Sequence, residues 1–354
     1  MVHISIFMLK QKFNSIQYLR ALASLMVVHC HFYEIVLDDF HSWWGGMGVD
    51  LFFVISGFVL YLSTRHSPSP KQYLINRVSR VVPTYWLMTF VLAFIVIFLP
   101  NSIKTAQFTI PHFFLSLTFF PHWAPGSTSS IFPFYAIGWT LMYEWFFYLS
   151  FMLFLSVKKN LLLKLFLFLA SFVVGANLIL RFNHDFALIT FFSSPIILEF
   201  FMGVVIAHWY IEKKIDIGLP AHLLLVLSAV LMFVFMLDYY EQFGRVVCAG
   251  IPAAMLVFSL AGMDTMGQIR EIKLFSLLGD SSYSLYLIHP FVYGVFRLAY
   301  NRHYFEHVSL FFLYFSSLLL VISVAIIFYK LVEIPLCAAV KRSLKRNFEA
   351  QPAH

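Results

Sequence analysis

Apolar runs of about bilayer length recur along nearly the whole chain, and that recurrence constrains the fold more than any single residue does. A hydrocarbon core roughly 30 Å thick needs about 20 helical residues to cross it. Inside it every backbone N–H and C=O must be bonded within the segment. Spans of that length are read near residues 15–36, 47–63, 83–100, 134–156, 161–180, 188–210, 221–238, 244–263, 282–300 and 308–330. A shorter run at 110–120, bounded by Pro111 and Pro121, reads as re-entrant or interfacial. The expectation is an all-α integral membrane protein of about ten transmembrane helices.

The charges test that count. The chain is 61% apolar and only 12% charged, with a net charge of +7. Such a balance would suggest nucleic acid if the charges were clustered on a soluble face, but here they lie in loops, so no nucleic-acid partner is expected. With the N-terminus inside, 18 of the 24 Lys and Arg fall in inner segments and five on the outer side, Arg20 being the remaining one. That asymmetry follows the positive-inside rule, and an eleventh span would destroy it. Both termini are therefore expected in the cytoplasm, with no cleavable signal peptide. Residues 1–336 read as one membrane domain and 337–354 as a basic cytoplasmic tail. The three cysteines, Cys30, Cys248 and Cys337, lie far apart without metal-ligand spacing, so neither a disulfide framework nor a bound metal is expected.

Ionisable residues within spans are costly and commonly mark a site. The first span carries Arg20 and, eleven residues on, His31. At roughly 100° and 1.5 Å per residue, the two share a face about 16 Å apart, whereas His29 falls on about the opposite face. An arginine that snorkels and a histidine paired within the bundle would read the same way. The second span descends from Gly45-Gly-Met-Gly-Val-Asp50, whose glycines permit close helix approach. Asp50 lies at about the depth of His31, where a carboxylate could fix an imidazole tautomer, or simply anchor the helix start. Arg77 and Arg80, three apart before Pro83-Thr-Tyr85-Trp86, can fork onto phosphate oxygens. With Arg20 they could hold a polyanion whose reactive end reaches outward to His31. Glu144 stands within an apolar helix, in Trp139-Thr-Leu-Met-Tyr-Glu144. Glu199 lies in a later span, and Gly250-Ile-Pro252 reads as a helix break. Tyr286 and His289 share a face at i, i+3, and His289, before Pro290, could satisfy a freed backbone carbonyl instead of touching a substrate.

Taken in order, these motifs resemble the membrane acyltransferase-3 family, integral-membrane O-acyltransferases that modify bacterial surface polysaccharides. The matching stretches are Arg20-x10-His31, Gly48-Val-Asp-Leu-Phe-Phe-Val-Ile-Ser-Gly-Phe58, Arg77-x-x-Arg80 with Pro83-x-Tyr85-Trp86, and Trp139-Thr-Leu-x-Tyr-Glu144. Gly279-Asp-Ser-Ser-Tyr-Ser-Leu-Tyr-Leu-Ile-His289-Pro and Glu333-x-Pro335 complete the set. The Tyr143-Glu144-Trp-Phe-Phe-Tyr version is closer to the exopolysaccharide acetyltransferase branch. The additional His29 and the lack of a fused extracytoplasmic hydrolase-like domain depart from some relatives.

The resemblance implies acetyl transfer from cytoplasmic acetyl-coenzyme A to a hydroxyl of a polysaccharide or lipid-linked glycan, in the bacterial inner membrane. It makes Arg20, Arg77 and Arg80 phosphate ligands and His31 the general base or acyl carrier, with Asp50 or Glu144 as its carboxylate partner. Tyr85, Trp139, Tyr286 and His289 are assigned as substrate contacts. The competing class is a proton-coupled secondary transporter or lipid-linked sugar carrier, against which no internal halves with matching broken helices are found.

Overall fold

A computed structural model describes residues 13–39, 45–64, 69–99, 103, 106–155, 160–182, 185–213 and 217–349. The described chain is helical throughout, without strands. Several basic loop residues that set the expected topology (Lys10, Lys12, Arg65, Lys104, Lys158, Lys159 and Lys214) lie outside it. The principal helices are α1 Asn14–Val36, α2 Gly46–Thr64, α3 Pro70–Phe98, α4 Ile110–Leu117, α5 Trp139–Phe154, α6 Leu161–Leu180 and α7 Ala187–Phe192. They continue as α8 Ile197–His208, α9 Gly218–Phe235, α10 Ile251–Thr265, α11 Lys273–Asp280, α12 Ser282–Asn301, α13 Leu310–Phe328 and α14 Ile334–Glu349.

Seven helical stretches among the described residues are long and apolar enough to cross a membrane. They are α1, α2, α3, α6, α9, Val246–Thr265 and Leu310–Asn347. Three expected spans fall short for physical reasons. Helix α5 has 16 residues. The 188–210 region is interrupted between α7 and α8. Helix α12 has 20 residues but dilutes its apolar character with residues such as His289 and Arg297. The run at 110–120 is a two-turn helix, α4, too short to span. Instead of a break at Gly250-Ile-Pro252, a π-helical turn, Val246–Gly250, feeds directly into α10, whose first turn contains Pro252. The basic segment after 336 continues the last helix to Glu349 and packs on α3.

The chain divides into two compact units. The first comprises Met1–Ser63 and Glu199–Val332. Helix α1 is its centre, packed on α10, α11, α12 and α13. Its first turn is anchored by Asp264, whose Oδ2 accepts from both the backbone N and Oγ of Ser15 at 2.8 Å. Val28, Phe32 and Val36 pack with Leu285, Tyr293, Leu313 and Val321. In lipid the drive for such contacts is close packing, since the tails are as apolar as leucine. Helices α2 and α8 show it. A Cβ at Gly57 would fall 1.8 Å from the Phe200 carbonyl oxygen, and one at Gly203 would fall 1.9 Å from that of Val54. Phe53 stacks on Phe200 at 4.4 Å beside this crossing. Of the glycines at the head of α2, Gly45 and Gly48 make close approaches to α1, a Cβ at Gly48 falling 2.4 Å from the Ala23 carbonyl oxygen, whereas Gly46 has open space around it.

The second unit comprises Thr64–Leu198 and Glu333–His354. Helix α3 starts with Ser69, whose side chain accepts from Gln72 N, followed by Pro70. It packs on α5 and α14, and α5 packs on α6. The tyrosine of Pro83-x-Tyr85 is fully buried and lies directly against Gly138, where a Cβ would come within 2.6 Å of its ring.

Candidate functional site

Helix α1 runs unbroken through Arg20 and His31, so the spacing of about 16 Å from helix rise holds along a continuous rod. His31 Nδ1 is 2.8 Å from the Val27 carbonyl oxygen. A carbonyl only accepts, so Nδ1 carries the hydrogen and Nε2 carries the lone pair. Glu34, one turn further on, places Oε2 3.8 Å from that Nε2. The His31 ring also lies 4.8 Å from that of His289, tilted by 55°.

His289 is fully buried, and its Nδ1 is 3.1 Å from the Leu285 carbonyl. That nitrogen is thus committed to a carbonyl of its own helix, yet Nε2 is buried without a hydrogen-bond partner. Two imidazoles thus sit together, each with Nδ1–H committed to its own helix and the lone pair on Nε2. Tyr286, 7% exposed, stands 6.1 Å from His289. His29 has a separate set of neighbours. Its Nδ1 is 2.9 Å from Tyr314 Oη, and its ring packs on Tyr33 and Tyr314.

Asp50 is held elsewhere. Its carboxylate receives Arg245 Nε at 2.8 Å and Nη2 at 2.9 Å, a two-pronged pair with Asp50 only 1% exposed. Arg245 also donates to the Gly46 carbonyl at 3.2 Å, tying the start of α2. The carboxylate standing at His31 is Glu34, whereas Asp50 neutralises an arginine. Sequence reasoning passed over both partners. Glu34 was detectable by the same i, i+3 rule that paired Tyr286 with His289, but Arg245 is 195 residues from Asp50 and carries no local signal.

In the second unit Arg77 is buried, its guanidinium carbon 5.7 Å from the Tyr73 ring centroid and 5.5 Å from that of Tyr148. Such cation–π contacts hold a planar cation without consuming all its donors. Tyr148 Oη donates to Glu144, and Tyr73 Oη donates to the Tyr148 carbonyl at 3.0 Å. Glu144 therefore belongs to the Tyr148 and Arg77 group. Arg80 is exposed, one turn beyond Arg77 on α3. Trp139 packs edge-on against Tyr143 at 6.1 Å. Arg20, in the first unit, is half-buried and donates to Gln17 Oε1 at 3.2 Å. No group of three or more potential metal ligands occurs among the described residues.

Residues 13–330 match Acyl_transf_3, the acyltransferase domain, and the chain belongs to that family. It is 33% identical over 257 residues to the exopolysaccharide production protein ExoZ of Rhizobium meliloti, covering 71% of this chain and 77% of that protein. It is 26% identical over 272 residues to acyltransferase MdmB of Streptomyces mycarofaciens, covering 69% of this chain and 67% of that one. No solved structure matches it. The chain is a membrane acyltransferase, and family membership removes the transporter reading.

Proposed function

We propose that this enzyme moves an acetyl group from cytoplasmic acetyl-coenzyme A to a hydroxyl of an exported polysaccharide or its lipid-linked precursor. Its place is the bacterial cytoplasmic membrane, crossed about ten times with both termini inside. The observation that carries the chemistry is the His31 tautomer, with Nδ1–H held by Val27 and a basic Nε2 beside Glu34 and His289. The acceptor class is supported by the likeness to ExoZ.

In this reading Nε2 of His31 takes the acceptor hydroxyl proton as its oxygen attacks the thioester carbonyl. The tetrahedral adduct then expels coenzyme A thiolate, which recovers the proton from the imidazolium. Glu34 stabilises that imidazolium, a role open to an acid 3.8 Å away. A route in which His31 first carries the acetyl group uses the same lone pair. Asp50 serves by fixing Arg245 and the head of α2. Arg20, Arg77 and Arg80 are assigned to the donor phosphates, with Arg77 set between two tyrosines beside Glu144. Tyr85, Trp139, Tyr286 and His289 shape the substrate path.

The test is transfer of label from radiolabelled acetyl-coenzyme A to polysaccharide by the purified protein, followed by mass spectrometry. A gain of about 42 Da per modified repeat, the mass of an added acetyl group, is expected; transfer of another acyl group, or to a non-saccharide, would redirect the assignment.

A further inference from the structure

The second unit holds a histidine pair of its own. Helix α4 ends at Leu117, and Phe119 then takes φ 58°, a left-handed conformation that a bulky residue rarely adopts. Backbone outliers of this kind are kept where the surroundings fix them, often at sites. Phe119 is fixed by packing on Tyr85 at 4.9 Å and Trp145 at 5.4 Å. The reversal brings His122 back onto His112, with His112 Nδ1 2.6 Å from His122 Nε2. Ser116 secures the same turn, donating to the His112 carbonyl at 2.6 Å and accepting from Phe134 N at 2.7 Å.

The hydrogen positions follow from one neighbour. His122 Nδ1 is 2.7 Å from the Phe120 carbonyl, so it carries a hydrogen and His122 Nε2 is an acceptor. His112 Nδ1 must then be the donor between the rings, which leaves the His112 Nε2 lone pair directed away from the pair. That nitrogen has no hydrogen-bond partner among the described residues, and His112 is 6% exposed. Burial, and then the neighbouring His122, push His112 down to about 4, so the pair is neutral at ordinary pH. A neutral acceptor suits a neutral donor, not an anion. The adjoining surface is aromatic. The Phe134 ring stands 5.9 Å from His112, and the partly exposed Phe108 lies 5.7 Å from Phe134. Precisely placed polar atoms among aromatic faces are the usual makings of a small-molecule site.

We infer that His112 and His122 form an acceptor subsite, in which Nε2 of His112 takes a hydrogen bond from a saccharide hydroxyl. This rests on the polysaccharide acceptor proposed above and adds to it a residue pair that none of the motifs contained. His122 acts as a positioning residue, holding the His112 ring in one tautomer and one orientation.

Two substitutions separate this from a purely structural dyad. His112→Asn keeps an amide donor where Nδ1 was, and so the link to His122, but removes the Nε2 acceptor. His112→Gln keeps an acceptor near the Nε2 position but loses the link. The probe is chemically de-O-acetylated polysaccharide from the producing cell, with radiolabelled acetyl-coenzyme A and full-length protein in nanodiscs. The Asn variant is expected to raise the acceptor KM about tenfold, the scale of one lost hydrogen bond, with donor KM and protein level unchanged. The Gln variant, which keeps an acceptor but loses its positioning partner, is expected to raise acceptor KM by less than the Asn variant does. An Asn variant with wild-type acceptor KM overturns the subsite. If the Asn variant fails to accumulate, a folded Gln variant whose acceptor KM matches that of His112→Ala overturns it equally, because the retained acceptor then counts for nothing. Wild-type protein that transfers no label to the saccharide overturns the acceptor reading itself, and this inference with it.

Discussion

At the scale of residues, the two histidines of α1 divide by their neighbours. His31 has a free Nε2 beside Glu34 and His289, whereas His29 is committed to Tyr314. His31→Ala should abolish transfer and His29→Ala should leave most of it, at equal protein level; equal losses would mean that the face assignment is wrong. The two acids should also separate. Glu34→Gln should lower kcat by about tenfold or more with little change in stability, as expected for a charge that helps an imidazolium form. Asp50→Asn should act on the protein itself, because removing one partner of a buried pair costs about 3–5 kcal/mol. A melting temperature that drops for Glu34→Gln and not for Asp50→Asn would reverse these roles. For the donor, Arg80→Ala should raise the acetyl-coenzyme A KM, and lysine should rescue only in part because an ammonium cannot fork across two oxygens. Unchanged donor KM would leave Arg80 as a topology signal alone.

At the scale of elements, close crossings and a buried turn carry the predictions. Gly57→Val should cost at least about 1–3 kcal/mol, since the Phe200 carbonyl already occupies the space a Cβ needs. A variant that accumulates and melts like wild type would show that α2 and α8 can separate. The α4 turn should lose stability in acid. His112 titrates near 4 when folded but near 6.5 when unfolded, so between those values the unfolded chain binds more protons. Stability is thus fully present above about pH 6.5 and falls as pH drops toward 4. The readout is the melting temperature across that window, where His112→Asn should flatten the slope relative to wild type; an identical slope in both would place the acid-sensitive group elsewhere.

What could be read in advance follows the range of the interaction. Arg20 and His31 are on one helix, so a single periodicity placed them. The glycines of α2 announced a close approach without naming α8 as the partner. Asp50 could be seen as a buried acid, but its choice of Arg245 over an imidazole required tertiary packing. The dyad of His112 and His122 was hidden because it depends on the left-handed turn at Phe119, which composition does not reveal.

At the scale of the whole molecule, seven stretches among the described residues meet the length and apolarity of a span, and the proposed ten include α5, α8 and α12 as helices of shorter or more polar character. Sites lined by protein tolerate such helices better than lipid does. Reporter fusions near residues 66, 158, 215 and 270 should report the cytoplasm, and fusions near 42, 103, 183, 240 and 304 the opposite side. Inversion of any adjacent pair would remove a span from the count.

The central claim is that an imidazole in the first helix drives acetyl transfer to an exported saccharide. The direct measurement is label transferred from radiolabelled acetyl-coenzyme A to de-O-acetylated polysaccharide by the purified enzyme, compared with its His31→Ala variant. The account predicts steady transfer by the wild type and none above background by a variant that melts at the same temperature. Undiminished transfer by that variant would contradict it.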